Sequence, residues 1–413
     1  RLRENLETLF VEVLRWGTPQ AQPQPVQVGV PVKRTLTLIP IAQLGSLPVY
    51  RHDWEGDKLP NLTERRAANR ALKPVAVEHL ICYVTADGQQ ASFVWARPRG
   101  GRQDKRPKVE IRSLSYEVGS PARTTIERLA ELAFDYDDFD MFGEPQVGKV
   151  TDKLNAAFDV EAVTRQFFEG FKAVFNDLWE RLTVQSKDRA WAHDYALQLL
   201  SRVMFLYFVQ RKRWLGGDPN FVSTFWSAYK ASKRPPDTFF EDWLSVLFFE
   251  AFCNRFQGGR QDRQYLPENL RKVLSVAPFL NGGLFNRNKL DRARADYSVA
   301  LGDDFFATLF DSFQGSRPGF FERFNFTISE STPFDQEVAV DPVMIGKVYE
   351  SLVNVSEEAR ERGEAGIFYT PRVEIDLMCR LSLVDWLTNH LGADDQLRRK
   401  SLLYEALFAY EPE

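Results

Sequence analysis

Cysteine and histidine are scarce in this chain: three cysteines (Cys82, Cys253, Cys379) and four histidines (His52, His79, His193, His390) are scattered through 413 residues. No Cys-x-x-Cys pair occurs, which excludes a zinc or disulfide framework of the usual spacing, assigns no metal and points to a reducing cytoplasm. Long apolar runs are missing as well. Stretches such as Val203 to Val209 fall well short of a membrane span, so no membrane partner is expected. Charge of one sign is also absent: 53 basic against 57 acidic residues leave a net charge of −4. That balance excludes a uniformly basic nucleic-acid binder but leaves room for local patches. What is plentiful is apolar surface, 44% of residues with 13% aromatic, and 33 phenylalanines. The length suggests two or three domains, each large enough to bury a core.

The first part of the chain reads as a small α/β unit. Arg1 to Trp16 carries Leu2, Leu6, Leu9, Phe10, Val13 and Leu14 at helical spacing, and Thr18 to Pro25 is a proline- and glutamine-rich loop. Strand-like runs follow at Val26 to Val32, Leu36 to Ile41 and Pro48 to Tyr50, then a polar helix-like stretch through Arg65 to Ala71. His79 to Thr85 and Gln90 to Ala96 are β-rich and joined by Ala86-Asp87-Gly88-Gln89, a hairpin signal. A helix leading into a mixed sheet suggests a nuclease of the PD-(D/E)xK kind, whose carboxylates hold a metal while a lysine aids the attacking water. No Asp followed by Glu-x-Lys is present; Asp53, Glu55 and Glu78 are the nearby acids. A degenerate, structural version of that fold is therefore expected, and Mg²⁺ would matter only if a nuclease activity exists.

Two charged clusters follow. Arg97, Arg99, Arg102, Lys105, Arg106 and Lys108 surround only Asp104, with Gly100 and Gly101 between them. Such a loop fits either a grip on DNA phosphates or a solvated hairpin tip. Asp135, Asp137, Asp138 and Asp140 lack the glycine and terminal glutamate of a calcium loop, and read as a solvated linker. From about Lys149 the periodicity turns helical, with Leu154, Phe158, Val163, Phe167, Phe171, Val174 and Phe175 as a stripe and Tyr195 to Phe208 ending in Gln210-Arg-Lys-Arg213.

Near the end, Thr370 and Pro371 open a helix-like segment, Arg372 to Leu387, because a threonine hydroxyl caps a free N–H and proline suits the first helical position. Leu377, Leu381, Val384, Leu387 and Leu391 share one face. On pattern alone, the aromatic pair before this helix is ordinary packing. However, Gly366-Ile-Phe-Tyr-Thr-Pro-Arg372, with Met378-Cys-Arg380 and Ser382-Leu383 behind it, resembles the Tyr-Thr-Pro segment of adenine-specific DNA methyltransferases. The nearest types are the large single-chain methylases of type IIG restriction-modification and of BREX and DISARM phage defence. Phe158-Asp-Val-Glu-Ala-Val-Thr164, Met204-Phe-Leu-Tyr-Phe-Val-Gln210, Phe279-Leu-Asn-Gly-Gly-Leu-Phe285, Phe324-Asn-Phe-Thr-Ile-Ser-Glu330 and Asp341-Pro-Val-Met-Ile-Gly-Lys-Val-Tyr-Glu350 resemble the same family's helical region.

The resemblance implies that Tyr369, Thr370 and Pro371 help to wall an S-adenosylmethionine pocket before a Rossmann-like sheet. It also implies double-stranded DNA as substrate and, in the phage-defence case, other defence-system subunits as partners. One departure is visible: the acid of the first turn stands at Glu374, where the family's place is Val373, so a capping box does not follow. The glycine-rich cofactor turn and the Asn/Asp-Pro-Pro-Tyr/Phe motif that receives a flipped adenine are both missing. Asp218-Pro219-Asn220 and Asp341-Pro342-Val343 lack the second proline, and Gly282-Gly283 has no third glycine. The expected architecture is α+β: a nuclease-like α/β domain over 1–145, a helical domain over 146–340 and the start of a methyltransferase domain over 341–413. The expectation is an N-terminal portion of such a methylase that is inactive alone; a non-catalytic DNA- or partner-binding module and a metal-dependent nuclease are the alternatives.

Overall fold

A computed structural model of the chain describes residues 2–408 apart from 21, 29–33, 57, 100–107, 120, 142, 281–282, 312–317, 329–334, 341, 343–345, 347–371 and 391–395. The fold is mixed α+β and falls into two compact units, 1–342 and 343–413.

The first unit opens with α1 (Leu2–Thr8), which runs on as a π-helical turn through Leu9–Val13. A seven-stranded sheet follows, in sequential order β1 (Gln24–Val28), β2 (Arg34–Leu44), β3 (Leu47–Asp53), β4 (His79–Val84), β5 (Gln90–Arg99), β6 (Lys108–Glu117) and β7 (Asp335–Glu337). Neighbours are antiparallel except for two parallel pairs, β3 with β4 and β6 with β7. Helix α2 (Leu62–Leu72) makes the first parallel crossover. It starts cleanly because Asn61 and Glu64 cap each other reciprocally at 3.0 and 2.8 Å. The expected hairpin is present: Asp87 accepts from Thr85 and from the Gln89 N–H, and Gly88 supplies the positive φ of 66° that the turn requires.

Every residue of β4 is buried, which its near-continuous apolar run anticipates for a strand covered on both faces. Tyr50, Trp54, Ile81, Tyr83 and Val94 point to the α2 side. On the other side, Phe10 of the first helical segment meets Phe93 at 6.3 Å, and Trp16 donates to the Leu132 carbonyl. Trp95, completely buried, packs on Phe158 at 5.5 Å and so ties the sheet to the helices that follow.

Those helices are α3 (Arg123–Ala130), α4 (Val147–Ala157), α5 (Val160–Ser186), α6 (Arg189–Arg211), α7 (Phe221–Ala231), α8 (Glu268–Ser275), α9 (Lys289–Asp296) and α10 (Asp303–Phe310). Between α3 and α4, the acidic cluster is less solvated than its sequence suggests. Asp138 is buried and paired with Lys153 of α4 at 3.0 Å. Of the expected stripe, helix α5 buries Val163, Phe167, Phe171 and Phe175, leaves Val174 half-buried, and adds Leu178 and Leu182. It stops at Lys187, a left-handed residue at φ 57°, and Asp188 caps α6 by accepting from Trp191 N–H. Phe167 is the hub of an aromatic cluster with Phe320 at 5.2 Å, Phe324 at 5.0 Å and Phe326 at 6.0 Å. The chain then returns to the sheet, where β7 pairs with Ile111 to Ser113 and Val340, just beyond it, bridges Phe326.

The second unit contains α11 (Arg372–His390), where the helix-like segment is expected, and α12 (Gln396–Phe408). Arg380 donates to the Leu407 carbonyl at 2.6 Å. Of the expected apolar face, Val384 is buried while Leu377 and Leu381 are exposed; Leu391 and the Thr370 cap lie outside the described residues. No helix among the described residues is long and apolar enough to cross a membrane.

Candidate functional site

Tyr369, Thr370 and Pro371, expected at the cofactor pocket, lie outside the described residues, as do Arg102, Lys105 and Arg106 of the basic loop. At the root of that loop the backbones of Arg99 and Lys108, and of Arg97 and Glu110, are register partners across β5 and β6. Arg97 is committed there. It donates to Glu110 at 2.9 and 3.0 Å and to Asn155 at 2.5 Å, and its guanidinium sits 4.8 Å over the Trp95 ring. Arg112 takes the other Glu110 oxygen at 3.0 Å. Burial pushes the Glu110 carboxyl upward, but the two guanidiniums outweigh it and hold it below the usual carboxylate range. Arg97 is thus a brace joining the ribbon to α4.

The acids considered for metal-dependent cleavage do not converge. Strands β3 and β4 run parallel with Asp53 level with Val84, so Glu78, just before β4, falls level with Leu47, six positions or roughly 20 Å away. Asp53 is paired with Arg3 and Arg51 at 3.4 and 3.3 Å, and Glu78 accepts from Trp95 Nε1 at 3.0 Å. Among the described residues no three His, Cys, Asp or Glu side chains gather to hold a metal ion.

The densest polar constellation lies instead in a cleft of about 200 Å³ between the sheet and the end of α6. The return of the chain at β7 builds it. Arg211, in the last turn of α6, donates to Glu117 of β6 at 3.1 Å and to Asn325. Glu337 of β7 accepts from Ser115 at 2.5 Å and from Thr327 at 2.6 Å. One turn behind Arg211, Tyr207 donates to Glu322 at 2.6 Å while its ring stacks on Phe326 at 4.8 Å. Three segments singled out in the sequence therefore meet at α6: 204–210 lies within it, 325–328 lines the cleft, and Leu284 of the third accepts from Arg202 at 2.6 Å through its carbonyl. The individual partners, Glu117, Glu322 and Glu337, carry no signal in the sequence; only the 324–330 segment beside them does.

Both carboxylates facing the cleft are engaged, so neither is available to a cofactor ribose, and the described residues here do not fit S-adenosylmethionine. The arrangement is suited to locking the helical region onto the sheet. Glu322 is the exception in its chemistry. Burial, opposed by the Tyr207 hydrogen bond and the Arg211 charge, raises its pKa from 4.5 to about 7. Since the folded state then binds a proton that the unfolded state releases, this group favours folding fully below pH 4.5, and its contribution is lost as pH rises to 7. Glu322→Gln should therefore gain on the unaltered chain by up to about 3 kcal/mol between those limits. Urea unfolding of both proteins at a series of pH values measures the difference, and a constant difference would show that folding does not raise the Glu322 pKa.

The chain is 29% identical over 179 residues to a protein of Methanocaldococcus jannaschii named as a type II restriction enzyme and methyltransferase. The match covers 43% of this chain and 13% of that relative. It relates the chain to a restriction-modification protein. No family profile and no solved structure matches it.

Proposed function

We propose that this chain works as the N-terminal region of an S-adenosylmethionine-dependent, site-specific adenine-N6 DNA methyltransferase of restriction-modification or phage defence. The observation that carries the reading is the similarity to the methanogen restriction enzyme and methyltransferase, and the Tyr369-Thr370-Pro371 segment gives it the finer form. The α/β part keeps the helix-then-mixed-sheet order of a nuclease-like domain, with its charged groups turned to structural pairs rather than to a metal. The helical part is clasped to the sheet through Arg211 and β7. Because the base-receiving motif is missing from these 413 residues, the 413-residue chain alone is expected to transfer no methyl group.

The test is transfer of labelled methyl from S-adenosylmethionine to unmethylated double-stranded DNA by the complete gene product, with the 413-residue chain beside it. Label on adenine with the complete product only supports the reading. No label from either would remove it, and DNA binding without transfer would leave a non-catalytic module of a defence complex in its place.

A further inference from the structure

The loop leaving α6 has a feature that the cleft does not use. Directly after Arg211 come Lys212, Arg213 and Trp214, all exposed, and Trp214 shows 51% of its surface to solvent. Among the described residues Trp214 makes no hydrogen bond, ring contact or cation contact. A lone exposed tryptophan is unremarkable on a floppy segment, but this segment is pinned. Leu215 beside it is completely buried. The Arg213 N–H donates to Gln210 at 2.8 Å, Gly217 to Arg213 at 3.2 Å and Asp218 to Leu215 at 3.2 Å. The Gln210 side chain in turn accepts from Val222 N–H at 3.0 Å, closing the loop onto the start of α7. Arg213 holds a left-handed φ of 58°, a conformation costly for a side chain other than glycine, and Gly216 at φ 65° presses so close to Val273 that a Cβ would meet it at 2.5 Å. The backbone is therefore held in place where it exposes an indole and two cations, directly after the last residue of α6. Asp87, the acid within electrostatic reach of Arg213, is already held by Thr85 and Gln89.

We propose that Trp214, with Lys212 and Arg213, is a stacking platform for an unpaired DNA strand: a base lies on the indole and the two cations meet its flanking phosphates. A rigid aromatic face beside cations is what an unstacked base recognises, whereas bases within a duplex keep their faces covered. Fixing the tryptophan beforehand lowers the ordering cost of binding. This deepens the proposed function and rests on its premise that the protein acts on DNA.

The experiment is fluorescence anisotropy of a labelled oligothymidine, and of the same length of duplex, titrated with the 413-residue chain at several salt concentrations. Trp214→Ala should weaken single-strand binding about tenfold, Trp214→Phe should recover most of it, and duplex binding should change little. Lys212→Ala with Arg213→Ala should make the log–log salt slope shallower by roughly 1.4, two phosphates at 0.7 each. Thermal unfolding of each variant should match the unaltered chain, as the replaced side chains are exposed. Equal single-strand affinity for Trp214→Ala and the unaltered chain overturns the proposal, and so does an unaltered chain that binds no single strand. If the complete gene product still methylates adenine in those cases, the functional reading stands without this platform. If strand binding depends on Trp214 but no methyl is transferred, the platform stands and the functional reading falls.

Discussion

Asp291→Ala will destabilise the first unit by about 3–5 kcal/mol, the range for removing one partner of a buried ion pair. Arg202 and Asp291 form a bidentate pair at 2.6 and 2.9 Å, with their side chains 0% and 3% exposed. The remaining guanidinium donor goes to the Leu284 carbonyl, and Asp291 also accepts from Asn288 N–H at the start of α9. Without the carboxylate, a guanidinium stays dehydrated against the Phe249 ring with two donors unsatisfied. The pair links α6 to the 279–285 segment and to α9, so its loss also frees that segment. Urea unfolding at constant pH gives the number. A loss under about 1 kcal/mol would mean that water reaches Arg202 and that the pair is not sealed. Arg202→Met combined with Asp291→Ala should cost less than the two single changes summed, because no lone charge then remains buried.

Phe167→Ala is expected to cost a similar amount, about 3–5 kcal/mol, for a different reason. Its ring lies within 5.0 to 6.3 Å of Phe171, Phe320, Phe321, Phe324 and Phe326, so truncation opens a cavity at the point where α5 meets the returning chain. The same rings back the cleft, and the variant should lose protection of the 320–326 amides in hydrogen exchange before the sheet does. Phe167→Leu keeps most of the volume and should cost clearly less. Equal costs for the two variants would show that the cluster relaxes around the site and that the packing is less specific than its geometry implies.

Local signals in this sequence carried a good part of the fold. Alternation and the Asp87-Gly88 turn located the β4–β5 hairpin, because a two-state turn chemistry acts over a few residues. The helical spacing of Val163, Phe167, Phe171 and Phe175 located α5, whereas its end at Lys187 and the Asp188 cap of α6 emerged only in the structure. The π-helical turns at Leu9–Val13, Phe239–Leu244 and Leu247–Ala251 were not legible, since segments this short and this rich in apolar residues are too brief to show a helical period. Nor was the solvation of Asp138, whose lysine partner sits on the next helix.

The candidate site was legible only in outline. The sequence by itself determined the α+β class, the shortage of metal-binding and disulfide chemistry, and the segments at 204–210, 279–285 and 324–330. Tertiary structure alone decided that these segments meet on α6. It also decided that Arg97 turns inward to Glu110, that Asp53 and Glu78 stand at opposite ends of adjacent strands, and that β7, three residues long, closes the sheet 222 residues downstream of its hydrogen-bonding partner Ser115. The physical reason is range. Helical and strand periodicity reports which face of an element is buried, whereas ion pairs such as Arg202 with Asp291 and Arg211 with Glu117 form between residues about ninety apart. Which charge meets which is set by how the elements pack, and no spacing along the chain encodes it.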